Sequence, residues 1–193
     1  TGMHLRISCS MVFMQDILDE TICLAKKTIE EKNPALKNKD EVARKIAISA
    51  IFFGDLKSNR VNDVIFDIDK FLEFEGDTGP YLQYSYARAS SIIRKSKKKA
   101  KAEIKHLPET HETELIKKLA EFPEIIQQAY KQLNPSIIAN YSFQLSQSFN
   151  EFYHACKVVG SEEEEFRLAL VQAFRIVIKQ SLSLLGIDVI EEM

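Results

Sequence analysis

Three tyrosines, Tyr81, Tyr84 and Tyr86, fall close together with Gln83 among them and Arg88 just beyond. Each tyrosine offers a ring face for stacking and a hydroxyl for hydrogen bonding. An arginine stacks on a base or pairs with a phosphate, so the cluster suits an unstacked nucleic-acid strand. The alternative is ordinary packing with the hydroxyls at the surface. A second candidate is the basic run 94–105, which either follows a nucleic-acid backbone or is a solvated helix end. Chemistry of other kinds is poorly supplied. Asp67 with Asp69, and the acids of 162–165, lack a nucleophile or a metal-ligand set and read as structural. The three cysteines, Cys9, Cys23 and Cys156, form no C-x-x-C pair, and the four histidines stand at no zinc spacing. Reduced thiols and no metal are expected.

The elements that must position the tyrosines follow from periodicity and punctuation. Hydrophobic residues make up 45% and charged residues 28%, with only 6 Gly and 5 Pro, which favours long helices around a core. The net charge of −2 leaves any attraction to nucleic acid to local segregation of charge. Residues 1–13 show no period. A helix is predicted over 16–32 with Ile17, Leu18, Thr21, Ile22 and Ala25 on one face, ended by Asn33-Pro34. A second starts at Asn38, with Asn38 and Glu41 as a capping box, and stops at Gly54. Residues 55–77 read as turns, with 64–68 extended and one helical turn over 69–74. Pro80 then opens a helix on which Leu82, Tyr86, Ala89 and Ile93 share a face, running to about Lys105.

Beyond a linker at Pro108, only helices are predicted. One spans 112–121. Phe122-Pro123 opens another, to Leu133. Asn134-Pro135 starts a third, to about Val159, with Ile138, Tyr141, Leu145, Phe149, Phe152 and Cys156 facing inward. Gly160 ends it. Ser161 and Glu164 suggest a capping box for the last, which buries Phe166, Leu170, Phe174, Val177, Ser181 and Leu184 or their neighbours. Gly186 ends that helix and leaves a tail, 187–193. No apolar run approaches the roughly 20 residues that span a bilayer, and Met11 to Phe13 is too short for a secretory core. No membrane partner and a cytoplasmic place are expected.

The segment Glu75-Gly76-Asp77-Thr78-Gly79-Pro80-Tyr81-Leu82-Gln83-Tyr84, with Arg88 four residues on, resembles the E-G-[DN]-T-[GA]-P-Y-L-Q-Y-x-x-x-R signature of arginyl-tRNA synthetases. Asn59-Arg60, Phe66-Asp67-Ile68-Asp69-Lys70, Asn150-x-Phe152-Tyr153 and the finish Leu184-Leu185-Gly186-Ile187 to Glu192-Met193 are similar to further motifs of that family, in the same order. The resemblance runs from about residue 13 onward. It implies an all-α helical bundle over 80–193, the DALR-type anticodon-binding domain of class I synthetases, preceded at 1–79 by a remnant of the catalytic domain.

For function, the resemblance implies binding of an arginine tRNA by its anticodon stem and loop. Tyr84 and Arg88 would face the loop, with Tyr153 and Met193 lining the same pocket. The intact enzyme would use ATP, with Mg, to activate arginine and pass it to the tRNA; DNA is not an expected partner. Before Phe13, where the family carries a K-M-S-x-R-x-G-like loop, Met3 and Arg6 match while the serine and glycine are replaced; the resemblance implies Arg6 as an ATP-phosphate contact, with a solvent-exposed arginine as the other reading in this chain. No H-x-G-H and no glycine-rich parallel α/β pattern occurs. The chain is therefore expected to be a fragment without cofactor or catalytic residues of its own, inactive alone. Two other readings stay open: a helical protein-interaction module, and the related helical domain of another class I synthetase such as the cysteinyl enzyme. The P-Y-L-Q-Y segment and the ending argue against the last.

Overall fold

The structure, a computed structural model, describes residues 13–63, 67–104 and 106–193. Among these residues there are seven helices and no strand: α1 (Met14–Lys32), α2 (Lys39–Leu56), α3 (Ile68–Phe71), α4 (Gly79–Lys95), α5 (Thr110–Gln132), α6 (Ser136–Ala155) and α7 (Glu164–Leu184). The all-α expectation holds. Arg6 and the extended reading of 64–66 lie outside the described residues.

Helices α4 to α7 enclose the main core. Leu82, Tyr86, Leu145, Phe149, Phe174 and Ile178 are all sealed from solvent there. Phe149 and Phe174 stack face to face, with centroids 3.9 Å apart and planes 4° from parallel, tying α6 to α7. The Tyr141 hydroxyl donates to the Lys118 carbonyl at 2.8 Å, which pins α6 to α5. A smaller cluster joins α1 and α2 through Ala25, Ile29, Ala43 and Ile46, and Ile190 of the tail completes it. The tail therefore reaches back to the first two helices.

Thr78 caps α4, its hydroxyl accepting from the Tyr81 amide at 3.3 Å, and Pro80 sits where no donor is needed. Gly79 is required for close approach: a Cβ there would stand 2.2 Å from the Ser49 carbonyl oxygen of α2.

Several expected boundaries are corrected. Asn38 precedes α2 in the left-handed region at φ 57 without a side-chain cap, and Glu41 pairs with Lys45 at 2.7 Å instead of closing a capping box. Gly54 does not end α2, which runs to Leu56; it lies where a Cβ would meet the Phe71 ring at 2.4 Å. The helical turn near 69–74 is shorter and earlier, at α3.

Helix α4 ends at Lys95, ten residues before the expected Lys105. Lysines at i and i+4 repel in a continued helix, and acids at the start of α7 draw the segment across instead. Ser96 donates to Glu164 at 2.7 Å, Lys98 lies 3.6 Å from the same carboxylate, and Lys101 lies 2.9 Å from Glu165.

The two helices expected over 112–133 are one, α5, with Pro123 inside it. Pro123 is exposed, so water can serve the carbonyl that loses its amide partner. The stripe Leu115, Leu119, Phe122, Ile125 and Ala129 runs through the proline against the core and holds the helix together. Helix α6 stops at Ala155 rather than Val159. Ser161 donates to the Val158 carbonyl rather than capping α7, while Glu164 accepts from the Gly160 amide at 3.0 Å. Leu184 is exposed; Leu182 and Leu185 beside it are buried.

Candidate functional site

The tyrosines of α4 divide by helical phase. Tyr86 is fully buried, Tyr81 is half-buried and Tyr84 is 39% exposed. Arg88, one turn after Tyr84, lies on the same face. Its Nη2 donates to the Tyr84 hydroxyl at 2.9 Å. Its guanidinium carbon sits 4.6 Å from the Tyr84 ring centroid and 4.9 Å from that of Tyr153 on α6. Tyr153 is likewise 39% exposed. Two aromatic faces and a cation between them thus meet at the surface, and cation–ring attraction holds the arrangement.

Asn150 fixes the cation. Its Oδ1 accepts from Arg88 Nη1 at 2.6 Å, and its Nδ2 donates to the Tyr81 hydroxyl at 2.8 Å and to Ser85 Oγ at 3.0 Å. Both ends of the amide are used, so the guanidinium is held before any ligand arrives.

Two grooves meet at this point. One, of about 760 Å³, is lined by Tyr84, Arg88, Tyr153 and Met193 together with Lys95 and Lys157. The other, of about 1060 Å³, runs toward α1 past Leu72 and Phe74 and shares Tyr84, Arg88, His154 and Met193. Tyr84, Arg88, Tyr153 and Met193, separated by over a hundred positions in sequence, are therefore neighbours on one open surface. Met193 also packs against the α1–α2 cluster.

The tail that carries Met193 is fastened along its length. Gln83 Nε2 donates to the Asp188 carbonyl at 2.7 Å and to the Lys45 carbonyl at 3.2 Å, joining α4, the tail and α2. Glu191 accepts from the Tyr86 hydroxyl at 2.8 Å and from Arg175 at 2.9 Å. Burial pushes the Glu191 carboxyl up, but these two donors and Ser90 outweigh it and leave it below the usual range. Burial, then the same hydrogen bond to Glu191, raises the Tyr86 phenol.

Sequence reasoning missed Asn150 and His154. Asn150 stands three residues before Tyr153 and so faces the same way, a spacing that marks it once Tyr153 is chosen. Away from this site, Glu109, Glu112 and Cys156 bring possible metal-ligand atoms within 4.8 Å of one another. Both Glu112 oxygens are taken, by Arg167 at 2.7 Å and His106 at 2.9 Å, and burial, then the Glu109 charge, pushes the Cys156 thiol up to about 11. These carboxylates already serve Arg167 and His106, so the cluster acts as an ion-pair core.

Residues 82–193 match the profile of the DALR anticodon binding domain. The chain belongs to that family. Ahead of the DALR domain, residues 2–68 match the catalytic domain of the class I tRNA synthetases (R). The arginine–tRNA ligase of Clostridium acetobutylicum is 47% identical over 187 residues, which is 95% of this chain and 33% of that protein. Arginine–tRNA ligase 2 of Bacillus anthracis is 42% identical over 184 residues, again 95% of this chain and 33% of the relative. Among solved structures, the arginyl-tRNA synthetase of Thermus thermophilus superposes with a TM-score of 0.91 at 34% identity, covering 96% of this chain and 33% of that one. The arginyl-tRNA synthetase of Plasmodium falciparum gives 0.86 at 30% identity, covering 95% and 34%. The chain with its DALR domain thus spans about a third of the length of these relatives. No helix among the described residues is long and apolar enough to cross a membrane.

Proposed function

We propose that the chain is the part of an arginine–tRNA ligase that binds the anticodon stem and loop of an arginine tRNA. The observation that carries this reading is the exposed Tyr84–Arg88–Tyr153 arrangement beside Met193, in a chain whose family is an anticodon-binding one. Unpaired loop bases stack on the two tyrosines. Arg88, already oriented by Asn150, bonds a base edge or a phosphate. Met193 supplies a polarisable apolar wall against a splayed base.

We place the start of the binding domain at residue 80, a reading supported by family matches over 2–68 and 82–193 on either side. Catalysis, the ATP-driven joining of arginine to its tRNA with Mg, belongs to the whole ligase, since this chain has no H-x-G-H. Arg6 is assigned to the ATP phosphates by its place in the aligned loop. Arginine, ATP and tRNA are the whole ligase's partners, with neither DNA nor membrane among them, and its place is the cytoplasm.

The test is binding of labelled anticodon stem-loops to the 193-residue chain, comparing an arginine tRNA with other tRNAs at one stated salt. Loss of one stacked base is worth roughly 1–3 kcal/mol, so Tyr84→Ala should weaken the arginine stem-loop about tenfold or more. Tyr84→Phe keeps the ring and loses only the acceptor for Arg88, so its loss should be smaller. Equal affinity for all stem-loops, or an unchanged Tyr84→Ala variant, sinks the reading.

A further inference from the structure

The two grooves differ in free charge. Lys95 closes α4 and Lys157 follows α6, and both are exposed along the smaller groove. The other cations nearby are spoken for. Arg94 lies 3.3 Å from Glu192 and donates to the Glu191 carbonyl at 3.1 Å. Lys98 and Lys101 face Glu164 and Glu165 on α7. Among the described residues, neither Lys95 nor Lys157 has a carboxylate within 4.0 Å. The acids of this groove are quenched in turn, Glu191 by Arg175 and Glu192 by Arg94. Among the described residues, two lysines without a carboxylate partner therefore flank the same groove as the exposed tyrosines. In the larger groove, Glu31, Asp69, Glu73 and Glu75 stand against Lys27, Lys32 and the shared Arg88, a small acidic excess that disfavours a phosphate there.

We infer that the smaller groove is a phosphodiester track: Lys95 and Lys157 bind the backbone of the RNA loop whose bases lie at Tyr84 and Tyr153. This rests on the function proposed above. Lysine ammoniums act on phosphate as mobile point charges and read no sequence, whereas Arg88 is fixed and directional. Behind Lys157 the chain turns at Gly160, in the left-handed region at φ +76, where a Cβ would come 3.8 Å from the ammonium. The larger groove is left to the bases.

The experiment measures affinity of the chain for an arginine tRNA anticodon stem-loop over a series of salt concentrations. Each phosphate contact to a single strand contributes about 0.7 to the slope of log affinity against log salt. The double variant K95Q/K157Q should lower that slope by about 1.4, weaken binding on the order of tenfold at low salt, and keep the preference for the arginine sequence. K95R/K157R should restore both. K97Q/K99Q, which removes the same charge from outside the groove, should change little. An unchanged slope in K95Q/K157Q, or an equal fall in K97Q/K99Q, overturns the track while Tyr84→Ala still reports on the tyrosine site. No binding by the unsubstituted chain overturns the functional reading and the track together.

Discussion

Asn150 shows how much of the site lies in a side chain that touches no ligand in the proposed complex. Asn150→Ala removes the acceptor for Arg88 and strips hydrogen bonds from Tyr81 and the buried Ser85. Leaving such groups unpaired should cost about 1–3 kcal/mol in urea denaturation. Asn150→Asp separates positioning from packing. It keeps the shape, lets the Tyr81 hydroxyl turn to donate and Ser85 exchange its 3.0 Å bond to the Tyr81 carbonyl for one to the carboxylate, and sets that carboxylate against Arg88. Stability should hold while stem-loop affinity falls and its salt dependence becomes shallower, because the guanidinium is now neutralised. An Asp variant that binds RNA as well as the parent removes Asn150 from the site. Tyr84 and Arg88 were singled out in sequence because stacking and phosphate pairing call for those residue types, and Tyr153 only because a family motif implied it. The residue type of Asn150 carries no such mark, and only its spacing from Tyr153 points to it.

At the scale of elements, periodicity located every long helix, whereas punctuation often misled. Gly54 was read as a stop and Phe122-Pro123 as the opening of a new helix, yet Gly54 and Pro123 each lie within a helix, because an aromatic neighbour needs the room or a continuous apolar stripe outweighs one lost hydrogen bond. The lysine run was read as the second half of the helix opened by Pro80; the acids that pull it aside lie over sixty positions away on α7. The constraint on Gly79 is contact with α2. Gly79→Ala should therefore destabilise by about 1–3 kcal/mol, the usual cost of overpacking, since the obstacle is backbone. Gly76 is a useful contrast: at φ +78 with open space around it, it should lose only about 1 kcal/mol on substitution by alanine, for conformational reasons. Equal midpoints for the two variants in thermal or chemical unfolding would count against the close packing of α4 on α2.

Across the whole molecule, the strap 96–109 is bound to α5 and α7 by an ionic core absent from any local pattern. Arg167 holds Glu112 at 2.7 Å and Glu109 at 2.5 Å. His106 lies 2.9 Å from Glu112, with its Nδ1 also 2.9 Å from Glu163 but poorly aligned for a hydrogen bond, and the Phe166 ring meets it edge-on. The Glu112 hydrogen bond raises the His106 pKa above its ordinary 6.5. Burial pushes Glu112 up, but His106 and Arg167 together hold it below 4.5. The His106 contribution is complete below its unfolded value and fades as pH rises through the raised folded one. That of Glu112 is complete above its unfolded value and fades as pH falls through the lowered one. Unfolding free energy should therefore peak in weakly acidic solution, and His106→Gln should flatten the decline on the alkaline side. A parent profile that climbs through neutrality contradicts the pairing.

The larger groove has one wall from α1, within the stretch matching the catalytic profile, and another from α4 and α6, within the DALR match. An engineer who grafts only the second stretch onto a different enzyme body would carry across half of a cleft. Transplanted decoding would then depend on how well the host's own helix substitutes for the one left behind.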